Sequence, residues 1–227
     1  MVATSYPREP ARRGGYRPGS WWGRAFLRAV EELAYDDAQL AAGRALARSG
    51  RIGGLVVDVG SFAAAVDDGG GLWTVTGTVP PLDGEALRAF HEVVAAGVDG
   101  TGLPALLAGE LPHDLAEHAE EAGVELVPYG GELAAVCTCA AWQDVCVHAL
   151  AVLHQLGWLV DRDATALLHL RGIAREELLA QRRTPGAVEE TGPGVRAEVD
   201  DVEIAVEIAV DAALRARRLL EGGGEAG

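Results

Sequence analysis

Lysine is absent from all 227 residues, and every one of the 19 basic side chains is Arg. That excludes a P-loop nucleotide site built on Lys, a Schiff-base enzyme and any other lysine-dependent mechanism. Cysteine is scarce: the three present are too few, and odd in number, for a disulfide framework. No apolar run reaches the roughly 18 residues that a membrane-spanning helix needs. The N-terminal stretch has no apolar signal core. There is no G-x-S-x-G, no G-x-G-x-x-G ahead of a helix and no H-E-x-x-H. Positive charge is also short, with 19 basic against 34 acidic residues and a formal net charge of −15. Such a balance argues against broad, non-specific binding of nucleic acid over the whole surface. No membrane partner is expected, and the expected location is cytoplasmic, in a reducing compartment. An Arg-rich mitochondrial-type transit peptide is the second reading of the N-terminus.

What is present supports a folded core. Apolar residues make up 49% of the chain, and the length allows one large domain or two small ones. Charge is unevenly placed. Residues 1–28 hold six Arg and one Glu, and so carry +5, which leaves −20 on the rest. Residues 1–20, with Pro7, Pro10 and Pro18, read as a disordered Arg-rich arm: a solubilising tail, or a segment that touches something acidic. Arg12, Arg13, Arg17, Arg24 and Arg28 are the candidate contacts. Trp21 and Trp22 either stack on a base beside them or anchor a helix to the core.

Helical periodicity places Trp22, Phe26, Ala29, Val30 and Leu33 on one face. Asp36 or Asp37 caps a second helix that ends at Gly50. Leu55–Val59, Phe62–Val66 and Leu72–Val79 read as strands of an antiparallel meander, with Asp67-Asp68-Gly69-Gly70-Gly71 as a turn. Asp83 caps a helix lined by Leu87, Phe90 and Val94. Short helices are expected over Leu103–Ala108 and His113–Ala122, and a short strand over Val124–Val127. An apolar run from Ala149 to Gly157 predicts a buried helix, followed by helices at Ala164–Leu170 and Arg175–Gln181. Residues 184–198 read as a linker. Residues 199–221 fit a strand by alternation and a helix by their apolar stripe, with the helix favoured by Asp200 and Asp201 at one end and Arg215, Arg217 and Arg218 at the other.

One constellation carries chemistry. Cys137-Thr138-Cys139-Ala140-Ala141-Trp142-Gln143-Asp144-Val145-Cys146-Val147-His148 has the form C-x-C-x6-C-x-H and uses every cysteine in the chain. On an extended backbone, residues two apart point the same way, so each pair can reach one ion. The six-residue connection is long enough to turn the pairs face to face. Three thiolates and one imidazole form the closed tetrahedral shell that structural Zn²⁺ takes. The bland alternative is three buried, reduced cysteines near an unrelated His. A Cys137–Cys139 disulfide would be a strained ring that leaves Cys146 alone, and an iron–sulfur cluster more usually takes four cysteines. A thiol catalyst built on Cys146 and His148 would need an open coordination position. Trp142 is expected to pack over the site, and Asp144 is the candidate to orient His148. His91, His113, His118, His154 and His169 read as ordinary surface or core residues.

C-x-C-x(n)-C-x-H followed by an apolar helix resembles the SWIM-type zinc finger. The wider chain, from about 20 to 183, is similar to bacterial SWIM zinc-finger proteins. The likeness includes Trp21-Trp22-Gly23-Arg24-Ala25, the β meander, Gly109-Glu110-Leu111-Pro112 before the finger, and Asp161-Arg162-Asp163 through Leu168-His169-Leu170-Arg171-Gly172 after it. The resemblance implies a zinc-binding module that contacts protein, DNA or both, with Cys137, Cys139, Cys146 and His148 as ligands. It also implies a partner of the SWI2/SNF2-type helicase class. Two departures matter. Val147 stands where the family often has a basic residue, and Ala140-Ala141 where it often has Pro and Asp.

The chain is therefore expected to be an α+β, non-enzymatic zinc protein, acting as an interaction or adaptor module. N-terminal helices and a small antiparallel meander (21–132) should be followed by a compact SWIM zinc-finger region with helices (133–183). The alternative is direct nucleic-acid binding through the finger and the Arg-rich arm.

Overall fold

The computed structural model describes residues 2–97, 101–143 and 145–183. The expected linker at 184–198 and helix at 199–221 lie outside the described residues. The described residues form one compact α+β unit.

Its sheet has five strands in sequence order, every neighbouring pair antiparallel: β1 (Thr4–Tyr6), β2 (Leu55–Asp58), β3 (Ser61–Asp67), β4 (Leu72–Thr78) and β5 (Ala134–Cys137). Alternation decides which face is inward. Leu55, Val57, Phe62, Ala64, Val66, Val75 and Ala135 are buried, while Val56, Ala65, Thr74, Thr76, Thr78 and Val136 face outward.

Helices α1 (Trp21–Glu32), α2 (Asp37–Arg48) and α3 (Gly84–Ala96) begin at side-chain caps. Ser20 Oγ accepts from the Gly23 N–H, Asp36 from that of Gln39, and Asp83 from those of Glu85 and Ala86. Short helices α4 (Gly102–Leu107) and α5 (His113–Glu121) follow. The axis of the core is α6 (Val147–Arg162), in which every residue from Ala149 to Val160 is buried. It packs against α1, α2 and strands β3, β4 and β5. Each large apolar side chain removed from water there contributes about 1.5–3 kcal/mol. Two glycines let the helices approach. A Cβ at Gly43 would lie 2.8 Å from Leu150 Cβ, and one at Gly157 would lie 2.5 Å from Leu27 Cδ2. Helices α7 (Ala164–Leu170) and α8 (Arg175–Arg183) complete the described chain. Among the described residues, no helix is long and apolar enough to cross a membrane.

Three expectations need correction. The first is the disordered arm. Residues 4–6 form β1 against β2, and Tyr16 stacks on Trp158 with centroids 5.0 Å apart. Asp161 then fastens the arm. It accepts from the Tyr16 hydroxyl (2.6 Å), Ser20 Oγ (2.6 Å) and the backbone N–H groups of Ser20 (2.9 Å) and Gly19 (3.1 Å). Burial pushes the Asp161 carboxyl up, but these four donors outweigh it and hold the group below the usual carboxylate range. The arm's composition gave no sign of this, because its partners lie 36 to 153 residues away.

The second correction is the strand at Val124–Val127, which pairs with nothing in the sheet. Val124 and Leu126 are buried, but the Glu125 carbonyl accepts from the guanidinium of the buried Arg171 (2.7 Å), which also reaches the Pro80 carbonyl. A side chain has taken the bond a neighbouring strand would have made. The third is the boundary at 133. Residues 134–137 are the fifth strand of the same sheet, so the cysteine-bearing segment is part of the meander rather than a body appended to it.

Candidate metal centre

The four metal-ligating candidates meet because two local structures bring them together. Cys137 closes β5, where Val75↔Cys137 fixes its register. The ladder runs one residue further, since Thr138 N–H donates to the Thr74 carbonyl and Thr138 Oγ1 accepts from Thr74 N–H, both at 3.0 Å. That extended backbone places Cys139 two residues on. Cys146 is the residue that caps α6, and His148 lies in the helix's first turn. Buried Gln39 of α2 holds the connecting loop by donating to the Val145 carbonyl at 3.0 Å.

The donor atoms of Cys137, Cys139, Cys146 and His148 all lie within 4.8 Å of one another, close enough to hold one metal ion. Sγ of Cys139 and Cys146 are 3.5 Å apart, too far for a disulfide and short for unrelated thiols. His148 Nδ1 is 3.7 Å from Cys137 Sγ and 3.9 Å from Cys146 Sγ. Metal–sulfur bonds of about 2.3 Å and a metal–nitrogen bond of about 2.0 Å need tetrahedral edges of roughly this length.

The electrostatics favour a cation at the centre. Burial pushes the Cys137 thiol up to about 12, and burial also raises Cys146. Burial acts the same way on Cys139. There, however, the Ala141 N–H, followed by His148 and the other two thiols, brings it down to about 7. One thiolate is thus readily formed, and three together would repel without a positive ion among them. The backbone N–H groups of Ala149 and His148 act on the Cys146 sulfur and favour its thiolate. The donor set fits a soft, tetrahedral divalent ion.

The imidazole is held from behind. His148 Nε2 lies 3.1 Å from Asp68 Oδ2, which leaves Nδ1 to face the sulfurs. Asp68 is itself fixed by the β3–β4 turn. Its Oδ1 accepts from the Gly70 and Gly71 N–H groups at 2.8 Å, and Oδ2 accepts from Trp73 Nε1 at 3.0 Å. The Gly70 N–H above all, then Trp73, hold this carboxyl down at about 2. The Trp73 ring stacks on His148 with centroids 5.9 Å apart. A carboxylate on the second nitrogen of a ligating His sets its tautomer and raises its basicity.

Sequence reasoning missed Asp68 and Trp73, which read as turn and strand residues 75 to 80 positions from His148. Only the pairing β3–β4–β5 brings that turn beside the end of β5. The roles expected of other residues shift accordingly. Trp142 does not cover the site: it is 75% exposed and meets the Tyr35 ring edge-on at 5.4 Å. Asp144 lies outside the described residues.

Of the candidate partner contacts, Trp21 and Trp22 are half-buried and donate through Nε1 to the Leu111 and Val160 carbonyls, at 2.9 and 2.8 Å. Their place is that of helix anchors. Arg12 lies over the Tyr16 and Trp158 rings, 5.3 Å from each centroid. Arg13, Arg17, Arg24 and Arg28 are exposed, Arg24 donating to the Gly19 carbonyl at 3.1 Å.

No protein-family model matches this chain, and no solved structure matches it. Among curated proteins, it is 30% identical over 193 residues to the uncharacterized protein Rv2102 of Mycobacterium tuberculosis. That alignment covers 79% of this chain and 69% of the other. On that identity and coverage, the chain belongs to the family of Rv2102.

Proposed function

We propose that Cys137, Cys139, Cys146 and His148 bind a structural Zn²⁺, and that the chain is a non-catalytic interaction module of the SWIM zinc-finger type. In this reading it recruits or assists a protein partner such as a SWI2/SNF2-type helicase. The observation that carries the reading is the closed set of four protein donors, with His148 braced by Asp68. Soft thiolates select Zn²⁺ over Mg²⁺, Ca²⁺ and Mn²⁺. Four protein ligands complete the tetrahedron and leave no position for substrate, which is the pattern of structural rather than catalytic zinc. The ion would tie the end of β5 to the first turn of α6, and so join the sheet to the central helix.

The second reading is direct nucleic-acid binding. It is favoured by the arginines of the arm and α1, and weakened by the inward placement of Trp21 and Trp22 and by Val147 between the last two ligands. One experiment separates the two. The tagged full chain is incubated with native lysate, and retained proteins are identified by mass spectrometry. In parallel, single-stranded and duplex DNA are titrated at several salt concentrations. The adaptor reading expects a helicase-class ATPase to be retained by the wild type and lost with His148→Ala. Retention of no such protein, together with DNA binding that falls steeply with salt, would transfer the conclusion to the second reading.

A further inference from the structure

Away from the metal centre, α1, α2, α6 and the N-terminal arm line an open cleft of about 590 Å³. Arg24 and Arg28 line it from α1, Arg44 and Arg48 from α2, and His154 from α6. The carboxylate of Glu31, on α1, also faces it and pairs with Arg44. Arg28 and Arg48 have no ion-pair partner among the described residues. Four arginines in one cleft are out of proportion in a chain with a net charge of −15.

His154 supplies the second, independent observation. It is 3% exposed, and its Nε2 has no hydrogen-bond partner among the described residues. An unpartnered buried polar atom costs free energy, and the residue that carries it lines the same cleft as the four arginines. Burial, with Arg44 and Arg48 adding to it, pushes the His154 imidazole down to about 4. The ring is therefore neutral at physiological pH, with Glu31 the one carboxylate among the described residues that line the cleft.

We propose that this cleft binds a small phosphate-bearing ligand, held by Arg28, Arg48 and His154, with Arg24 at the rim. An anion satisfies every feature at once. It neutralises the arginines and accepts from His154, whose proton its charge would favour. Planar guanidinium forks match phosphate oxygens two at a time, and several forks around one space need more acceptors than one carboxylate offers. The volume is that of a small-ligand site. Binding should be linked to protonation of His154, in a field set by Arg24, Arg28 and Glu31 of α1, Arg44 and Arg48 of α2, and Tyr16 of the N-terminal arm.

The test is calorimetric titration of the full chain, as purified, with inorganic pyrophosphate at low ionic strength. Single-stranded oligonucleotide is titrated in a separate arm. Saturable one-to-one binding of pyrophosphate is expected. It should weaken on the order of tenfold in Arg28→Ala and in Arg48→Ala, and remain unchanged in Arg88→Ala, an exposed position on α3. Nuclear magnetic resonance of the imidazole should show the His154 titration midpoint moving upward when pyrophosphate saturates the protein. Arg28 is exposed, so its variant should melt like the wild type and keep the result interpretable if Arg48→Ala is unstable. No pyrophosphate binding, equal loss in Arg88→Ala, or an unmoved His154 would overturn the proposal. So would oligonucleotide binding through Arg28 and Arg48 without pyrophosphate binding, which would make the cleft part of a nucleic-acid surface.

Discussion

Cys146→Ala, and equally His148→Ala, is expected to abolish metal retention and to unfold at least residues 133–160. The effect is large because the ion would hold the start of α6, the helix whose length is buried from Ala149 to Val160. Structural zinc in small peptides contributes about 10–16 kcal/mol apparent at neutral pH. A whole domain of this size is stable by only about 5–15 kcal/mol. Losing a ligand therefore removes a stabilisation comparable to the entire margin. Cys146 adds a local reason: its side chain is buried in the core at the N-cap position of α6. Circular dichroism and thermal melting read the outcome. The wild type treated with a strong chelator should melt like the variants. A variant that keeps one metal per chain and the wild-type melting temperature would contradict the assignment of that ligand.

The second large effect is expected at Asp68, which touches no ligand sulfur. Asp68→Ala should lower metal affinity about 10- to 100-fold while leaving the secondary structure in place. The Ala variant removes the acceptor for His148 Nε2 and Trp73 Nε1, so the imidazole loses both its orientation and the negative charge behind its second nitrogen. Asp68→Asn keeps an oxygen for the Gly70 and Gly71 N–H groups but loses the charge, and should fall between the Ala variant and the wild type. Competition against a chromophoric chelator measures the three affinities. Equal affinities would show that the carboxylate serves the turn alone.

The contrast between these two predictions shows what can be read from sequence. The ligands were legible because they lie within twelve residues, and their local backbone, an extended strand end and a helix start, follows from near-neighbour rules. The helices were legible for the same reason: Asp36 and Asp83 cap them, and the stripe through Phe26 and Val30 marks the buried face. Asp68 was not, because its meaning depends on pairing across 80 residues. Strand β5 escaped notice because Ala-Ala-Val-Cys is short and weakly β-forming, and gains its identity only from β4. Strand β1 was hidden in an Arg- and Pro-rich stretch, although Thr4-Ser5-Tyr6 needs only the free edge of β2 to pair. Val124–Val127 misled in the opposite sense, having strand-like residues whose carbonyl partner is Arg171. In each case composition described the segment correctly and said nothing of its neighbour. The charge surplus of residues 1–28 was likewise visible, but the gathering of Arg24 and Arg28 with Arg44, Arg48 and His154 required the packing of three helices.

The most direct test of the central claim is elemental analysis of the purified, reduced wild-type protein by plasma mass spectrometry. One zinc per chain, lost together with folded structure on chelation, is the predicted result. Protein that is folded, reduced and free of any bound metal would contradict it.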